Sequence, residues 1–181
     1  MRIASLSDIH TDFAENREIM VKLAAQIHRR QPDVVIVAGD VSHKNDRIER
    51  ALVALSYVAE KVAYIPGNHD LWFDVPYASG RRDLNTWDRY QRELRELVEK
   101  IGAHYLPAAP LVIDRVAIAG TCGWYDYSLI PPALRSSIGE EAIAAKQFGG
   151  VMWSDARFIA FRDERGELVA DVDVAGRMEN E

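Results

Sequence analysis

The chain has 181 residues, 48% of them hydrophobic and 28% charged, with 28 acidic against 22 basic side chains and a formal net charge of −6. That length holds one compact domain, the apolar share excludes global disorder, and the acidic balance excludes nucleic acid or anionic lipid as stable partners unless a basic patch forms locally. No apolar run reaches the roughly 18 residues of a membrane span, the N-terminus does not read as a secretion signal, and the one cysteine, Cys122, fits a reducing, cytoplasmic setting.

Arg2–Ser7 reads as a short strand that ends in the polar cluster Ser7-Asp8-Ile9-His10. Asn16–Arg30 carries Ile19, Met20, Leu23, Ala24 and Ile27 at helical spacing, and Gln31-Pro32 stops the helix. Asp33–Ala38 is a continuous, mostly β-branched run, as expected of a strand buried on both faces, and it ends at Gly39-Asp40. A second helix is predicted over Arg47–Glu60, with Ile48, Ala51, Leu52, Leu55 and Val58 on one face. A third strand, Val62–Ile65, runs into Pro66-Gly67-Asn68-His69-Asp70. The alternation and its crossover lengths predict an α/β fold with a parallel sheet.

Beyond that point the pattern weakens. Leu84–Ile101 is a third helix, with Arg89–Lys100 read as its solvated, charge-paired face. Leu111–Asp114 and Val116–Thr121 are short strands, and Pro131–Phe148 is an Ala-rich helical insertion. Arg162–Glu181 is acidic and shows no clear apolar face, which leaves a strand pair, a frayed tail, or both.

The chemistry-bearing residues gather where the first three strands end: Asp8 and His10, then Asp40, then Asn68, His69 and Asp70. Ligands of parallel α/β sheets bind outside the carboxyl ends of the strands. Asp8 and His10 are two apart, so on an extended segment they point the same way. Taken singly, each is ordinary turn chemistry. Taken together, carboxylates and imidazoles that converge without compensating bases suit a divalent cation such as Mn, Fe or Zn. Gly39 and Gly67 let the backbone turn and leave room beside the site.

The blocks Asp8-Ile9-His10, Gly39-Asp40 and Gly67-Asn68-His69-Asp70 resemble, in order and separation, the first three signatures of the calcineurin-like metallophosphoesterases. The likeness runs from Met1 to about Trp153. It implies a β-sandwich flanked by helices and a two-metal site that hydrolyses phosphate mono- or diesters. It also implies that Asp8 and His10 ligate one ion, Asp40 bridges, and Asn68 ligates the other and touches the phosphate. His69 would protonate the leaving oxygen, with Asp70 orienting its ring. A phosphorylated small molecule or phosphodiester is the implied substrate.

The family also takes three histidines from later blocks, and none of the five histidines here follows His104. The second ion would then keep only Asp40 and Asn68 and be held weakly. His43, three residues past Asp40, would fill in as a ligand if its loop turned inward but reads first as an exposed histidine at a helix start, His104 reads as structural and His28 as solvated. A truncated enzyme, a site completed by another chain or by self-association, and a degenerate binding module on the same fold all fit these residues. The expected organisation is a metallophosphoesterase-like domain over 1–161, incomplete at its C-terminal side, followed by an acidic segment over 162–181. The aromatic run Leu71–Tyr77 with Arg81 and Arg82 is a secondary candidate for binding a base and its phosphate, or a surface loop packing its own aromatics, and Trp124–Tyr127 is one for lining the cleft from the other side. Cys122 is read as buried packing.

Overall fold

The computed structural model describes residues 1–180, and its central feature is a four-stranded parallel sheet in the order β1-β2-β3-β4. The strands are β1 (Ile3–Leu6), β2 (Val34–Ala38), β3 (Lys61–Ile65) and β4 (His104–Tyr105). β1 pairs with β2 from Ile3 opposite Val34 to Leu6 opposite Val37, and β2 pairs with β3 from Val34 opposite Lys61 to Ala38 opposite Ile65. Val34, Val35 and Val37 are fully buried, because the central strand is covered on both faces. At the edge, β1 alternates, and Ile3 stays 46% exposed.

Helix α1 (Ala14–Arg30) leaves the end of β1, and α2 (Asn45–Ser56) leaves the end of β2. α1 stops where Gln31 takes a left-handed φ of 46° and its N–H caps the carbonyls of Ile27 and His28, just ahead of Pro32. α2 buries Ile48, Ala51, Leu52 and Leu55 of the predicted apolar face, but it ends four residues earlier than Glu60, so Val58 lies beyond it. The third helix begins as α3 (Thr86–Asp88), passes through a π turn at Arg89–Glu93 and continues as α4 (Leu94–Lys100). It buries Tyr90, Leu94 and Val98. The short strands β5 (Leu111–Ile113) and β6 (Val116–Ile118) form a separate antiparallel pair.

The chain divides into two compact units, one of Met1–Leu71 with Asp88–Cys122, the other of Trp72–Trp87 with Gly123 onward. The second unit contains α5 (Pro132–Ile138) and α6 (Glu140–Ala144), where a helical insertion is predicted. It continues with the hairpin β7 (Gln147–Phe148) and β8 (Val151–Met152), then α7 (Asp155–Phe158) and α8 (Asp171–Glu179). Phe161 anchors its core, with ring centres 4.6 Å from Trp87 and 5.1 Å from Trp124. The acidic C-terminal segment is better ordered than its composition suggests. Arg162 bridges to Leu168, and α8 buries Val174, Ala175 and Met178 over two turns. Among the described residues no helix is long and apolar enough to cross a membrane.

Candidate metal centre

Three loops leave the carboxyl ends of β1, β2 and β3, and hydrogen bonds between their backbones extend the sheet's pairing beyond the strands. Asp8 N–H donates to Gly39 O at 3.2 Å, His10 N–H to Asp40 O at 2.9 Å and Thr11 N–H to Val41 O at 2.8 Å. Asp8, His10 and Asp40 all take left-handed φ values, of 55°, 43° and 55°. The expected extended segment is therefore a twisted one, and the two side chains converge for a different reason. Non-glycine residues persist in this region only where surrounding bonds fix them, and such sites cluster at functional loops.

The glycines act by proximity. A side chain at Gly39, whose φ is +77°, would strike Gly67 N at 2.4 Å, and one at Gly67 would strike Asp40 Oδ1 at 2.2 Å. Only glycine lets the β2 and β3 loops come this close. The contact carries Asp40 to the third loop, where its Oδ1 accepts the His69 N–H at 3.0 Å.

His10 Nε2 lies 3.9 Å from Asp8 Oδ1 and 3.8 Å from Asp40 Oδ2. Ligand atoms of these three residues all fall within 4.8 Å of one another. The ring of His69 packs edge-on against that of His10, with centres 4.7 Å apart. Burial, and next the neighbouring His10, hold the His69 imidazole below its ordinary pKa. Asn68 is half-buried on the same turn.

A second group stands beside the first: Asp12, His43 and His69, again with ligand atoms within 4.8 Å of one another. Asp12 Oδ1 is 3.2 Å from His43 Nδ1 and accepts the Ser42 hydroxyl at 2.7 Å, while Oδ2 is 3.7 Å from His69 Nδ1. His43 is thus turned inward, contrary to its reading as an exposed histidine. Its place three residues after Asp40 was the available signal. Asp12 was not anticipated, although it extends the alternation of Asp8 and His10 by one step.

Asp70 does not orient the His69 ring through its carboxylate. It is fully buried, and its two oxygens accept the N–H groups of Asp40, Val41, Ser42 and Gly67 at 2.7–2.8 Å. Its acid clamps the second loop to the third. Burial pushes its pKa up to about 6, against the pull of the Ser42 and Gly67 amides toward the charged form. Arg89 supports the same loops from the π turn. Far from lying on a solvated face, it is 6% exposed and donates to Asp70 O at 2.7 Å, His43 O at 2.8 Å and Asn45 Oδ1 at 3.0 Å. A π turn shifts the helix phase by one residue and is frequent at functional sites.

The donor set fits divalent cations. Two carboxylates and an imidazole converge at Asp8, Asp40 and His10, and buried His10 Nδ1 and Asp12 Oδ2 have no hydrogen-bond partner. Mixed oxygen and nitrogen donors of this kind suit first-row divalent ions, and a cation offsets the crowding of like charges.

The secondary candidates and His104 are occupied elsewhere. Arg81 pairs with Asp83 at 2.7 Å and Arg82 with Glu167 at 3.2 Å. Trp72 stacks on Phe158, Trp124 and Tyr127 bond to Asp171, and Tyr125 bonds to Asp155. His104 Nε2 contacts Ala109 O at 2.7 Å, as a structural histidine should. Cys122 is half-buried rather than buried.

A parallel sheet whose carboxyl-end loops present this acid–histidine–amide set is the arrangement of a metallophosphoesterase. Residues 1–120 match the calcineurin-like phosphoesterase family, and the chain belongs to it. It is 28% identical over 149 residues to the acyl-carrier-protein phosphodiesterase PptH of Mycobacterium tuberculosis, an alignment covering 79% of this chain and 43% of that protein. The crystal structure of the phosphopantetheinyl hydrolase PptH from the same organism superposes with a TM-score of 0.67 at 23% identity, covering 99% of this chain and 60% of that one. At that identity the likeness is one of fold. The chain spans roughly half the length of the relative it matches.

Proposed function

We propose that the chain carries the metal-binding core of a phosphodiesterase, a hydrolase of phosphate esters acting through two divalent ions, manganese among the candidates, in a cytoplasmic setting. The observation that carries this reading is the convergence of Asp8, His10 and Asp40 from two loops with the imidazole of His69 against the same cluster. Asp8, His10, Asp40 and Asn68 would hold the ions. Bound divalent ions supply Lewis-acid charge that activates water and neutralises the phosphoryl oxygens.

The remaining roles belong to the chain itself. His69 stands beside the ligand group with its pKa held low, so the neutral ring is favoured and becomes a strong acid once protonated. It would deliver that proton to the leaving oxygen. Asp12, facing Nδ1 at 3.7 Å, is the acid placed to hold the ring in register. Asn68 would orient the phosphate by its amide. Asp70 and Arg89 would fix the loops that carry these groups. The relative's names suggest a phosphodiester borne by a carrier protein as the substrate class.

The test is hydrolysis of bis(p-nitrophenyl) phosphate with and without added Mn²⁺, comparing wild type with Asp40→Asn. The expected result is metal-dependent turnover that the variant loses. Equal turnover in both would overturn the assignment of Asp40, and none in either would overturn the enzymatic reading of this chain.

A further inference from the structure

The outer faces of α1 and α2 enclose a groove of about 500 Å³ that none of the roles above uses. Its floor is made of Met20, Ala24, Ala51 and Ala54. Three alanines keep the two helices from filling the space between them, which leaves a channel suited to side chains from a third helix. Two large apolar residues border it and stand in water, Val21 at 72% and Tyr57 at 81% exposed. Along α2 and its C-terminal cap, Arg47, Arg50, Ala54 and Tyr57 recur every three or four residues, so one continuous stripe faces the groove.

The charge of this surface is opposite to that of the chain. Arg17, Arg47 and Arg50 line it, and the one acid among the lining residues, Asp46, is paired with Arg50 at 3.4 Å. A basic rim on a protein of net charge −6 selects an acidic partner and sets its register. The apolar floor favours a protein helix over a nucleic-acid backbone, which offers charge without apolar side chains.

The groove is also continuous with the candidate metal centre. Thr11 lines it, and its carbonyl accepts Arg17 Nε–H at 3.2 Å and Arg47 Nη1–H at 2.8 Å. Thr11 lies between His10 of the ligand group and Asp12. A helix seated here would bring a group attached near its end to the loop that carries the chemistry.

We propose that the α1–α2 groove is the docking surface for an acidic amphipathic helix of the protein that carries the scissile phosphodiester, an inference that rests on the phosphodiesterase reading above. The probe is a fluorescently labelled holo-acyl carrier protein, an acidic protein bearing a phosphodiester. Its affinity for the full chain is measured by anisotropy, and its turnover is compared with that of bis(p-nitrophenyl) phosphate. Arg50→Glu and Ala54→Glu are expected each to weaken binding about tenfold, to raise KM for the carrier protein without changing kcat, and to leave the small diester unaffected. Arg50→Lys should retain most of the binding.

No binding by wild type, or unchanged affinity in both glutamate variants, overturns the docking surface and leaves the phosphodiesterase reading standing. A loss of small-diester turnover in both variants also overturns it, because the groove would then serve the small substrate. Displacement of the carrier protein by a DNA duplex at equal charge would assign the rim to nucleic acid instead. If no diester is hydrolysed by any form, the enzymatic reading falls, while the anisotropy arm still decides the docking surface.

Discussion

Two acid clusters in this molecule invite comparison, one in each unit. In the second unit Asp155 accepts Trp72 Nε1 at 2.6 Å, Trp153 Nε1 at 3.1 Å and the Tyr125 hydroxyl at 3.2 Å. Asp171 accepts Trp124 Nε1 at 2.7 Å and the Tyr127 hydroxyl, and it pairs with Lys146 at 2.8 Å. Every oxygen there has a donor, and the neighbouring phenols are pushed toward their neutral forms, chiefly by burial. In the first unit Asp8 and Asp40 face His10 at 3.8–3.9 Å, outside hydrogen-bond range, and Asp12 Oδ2 is buried without a donor. A carboxylate whose lone pairs are filled by neutral donors is finished as structure. In the first unit each of Asp12 and Asp40 spends Oδ1 on a donor, and its Oδ2 faces an imidazole beyond hydrogen-bond range, ready for a cation.

The largest expected effect separates the two clusters directly. Asp40→Asn should lower metal-dependent turnover by at least about 100-fold, since it removes a charge from the ligand group. The variant keeps the Oδ1 that accepts the His69 N–H, so its thermal melting in the absence of metal should stay close to wild type. Isothermal titration with Mn²⁺ would show the lost affinity. Full affinity in the variant would break the distinction.

Asp155→Ala should do the reverse. Removing a buried acid leaves three donors without acceptors, which costs about 3 kcal/mol in the stability of its unit. Denaturant unfolding of the variant followed by Trp fluorescence would read that loss, and the Mn²⁺ titration should not change. A loss of Mn²⁺ affinity in this variant would mean that the aromatic cluster is more than structure.

Arg89→Lys should have a smaller effect that falls between the categories. The lysine keeps the charge but cannot reach Asp70 O, His43 O and Asn45 Oδ1 at once. A loss of about 1–2 kcal/mol is expected, together with a several-fold weaker Mn²⁺ affinity because the loops that carry Asp40 and His69 loosen. Stability lost without affinity lost would confine Arg89 to the fold.

The same comparison explains what the sequence discloses. The first three strands and two helices are legible from their apolar patterns, an unbroken β-branched run in Val34–Ala38 and helical spacing in Ile48, Ala51, Leu52 and Leu55. Asp8, His10 and Asp40 are legible because each lies within four residues of the end of a strand. Asp12, His43 and Arg89 are not, because their roles come from a left-handed turn, an inward loop and a π turn, none of which leaves a periodic trace. The family resemblance implies that Asp70 orients the ring of His69, whereas the 3₁₀ turn at His69–Leu71 directs its carboxylate at four amides. Helix α8 leaves no clear apolar face in the sequence because its buried residues, Val174, Ala175 and Met178, span only two turns within an acidic stretch.

The smallest effect concerns pH, and its sign can be worked out from the two groups the fold shifts. His69 titrates below its ordinary 6.5 in the folded chain. The unfolded chain therefore binds that proton first, and stability drains away as pH falls through 6.5. Asp70 acts oppositely, since its pKa rises from 3.8 to about 6 and the folded chain takes up its proton first as pH falls below about 6. Metal-free wild type should consequently lose the His69 contribution as pH falls through about 6.5, while uptake of the Asp70 proton restores stability as pH falls from about 6 toward 3.8. In His69→Asn the first limb should flatten and the second should remain. Urea midpoints across that range, measured in chelator, would read both limbs. If the first limb persists in the variant, the proton belongs to another group of the cluster, and the low-lying imidazole assigned to the leaving oxygen is not His69.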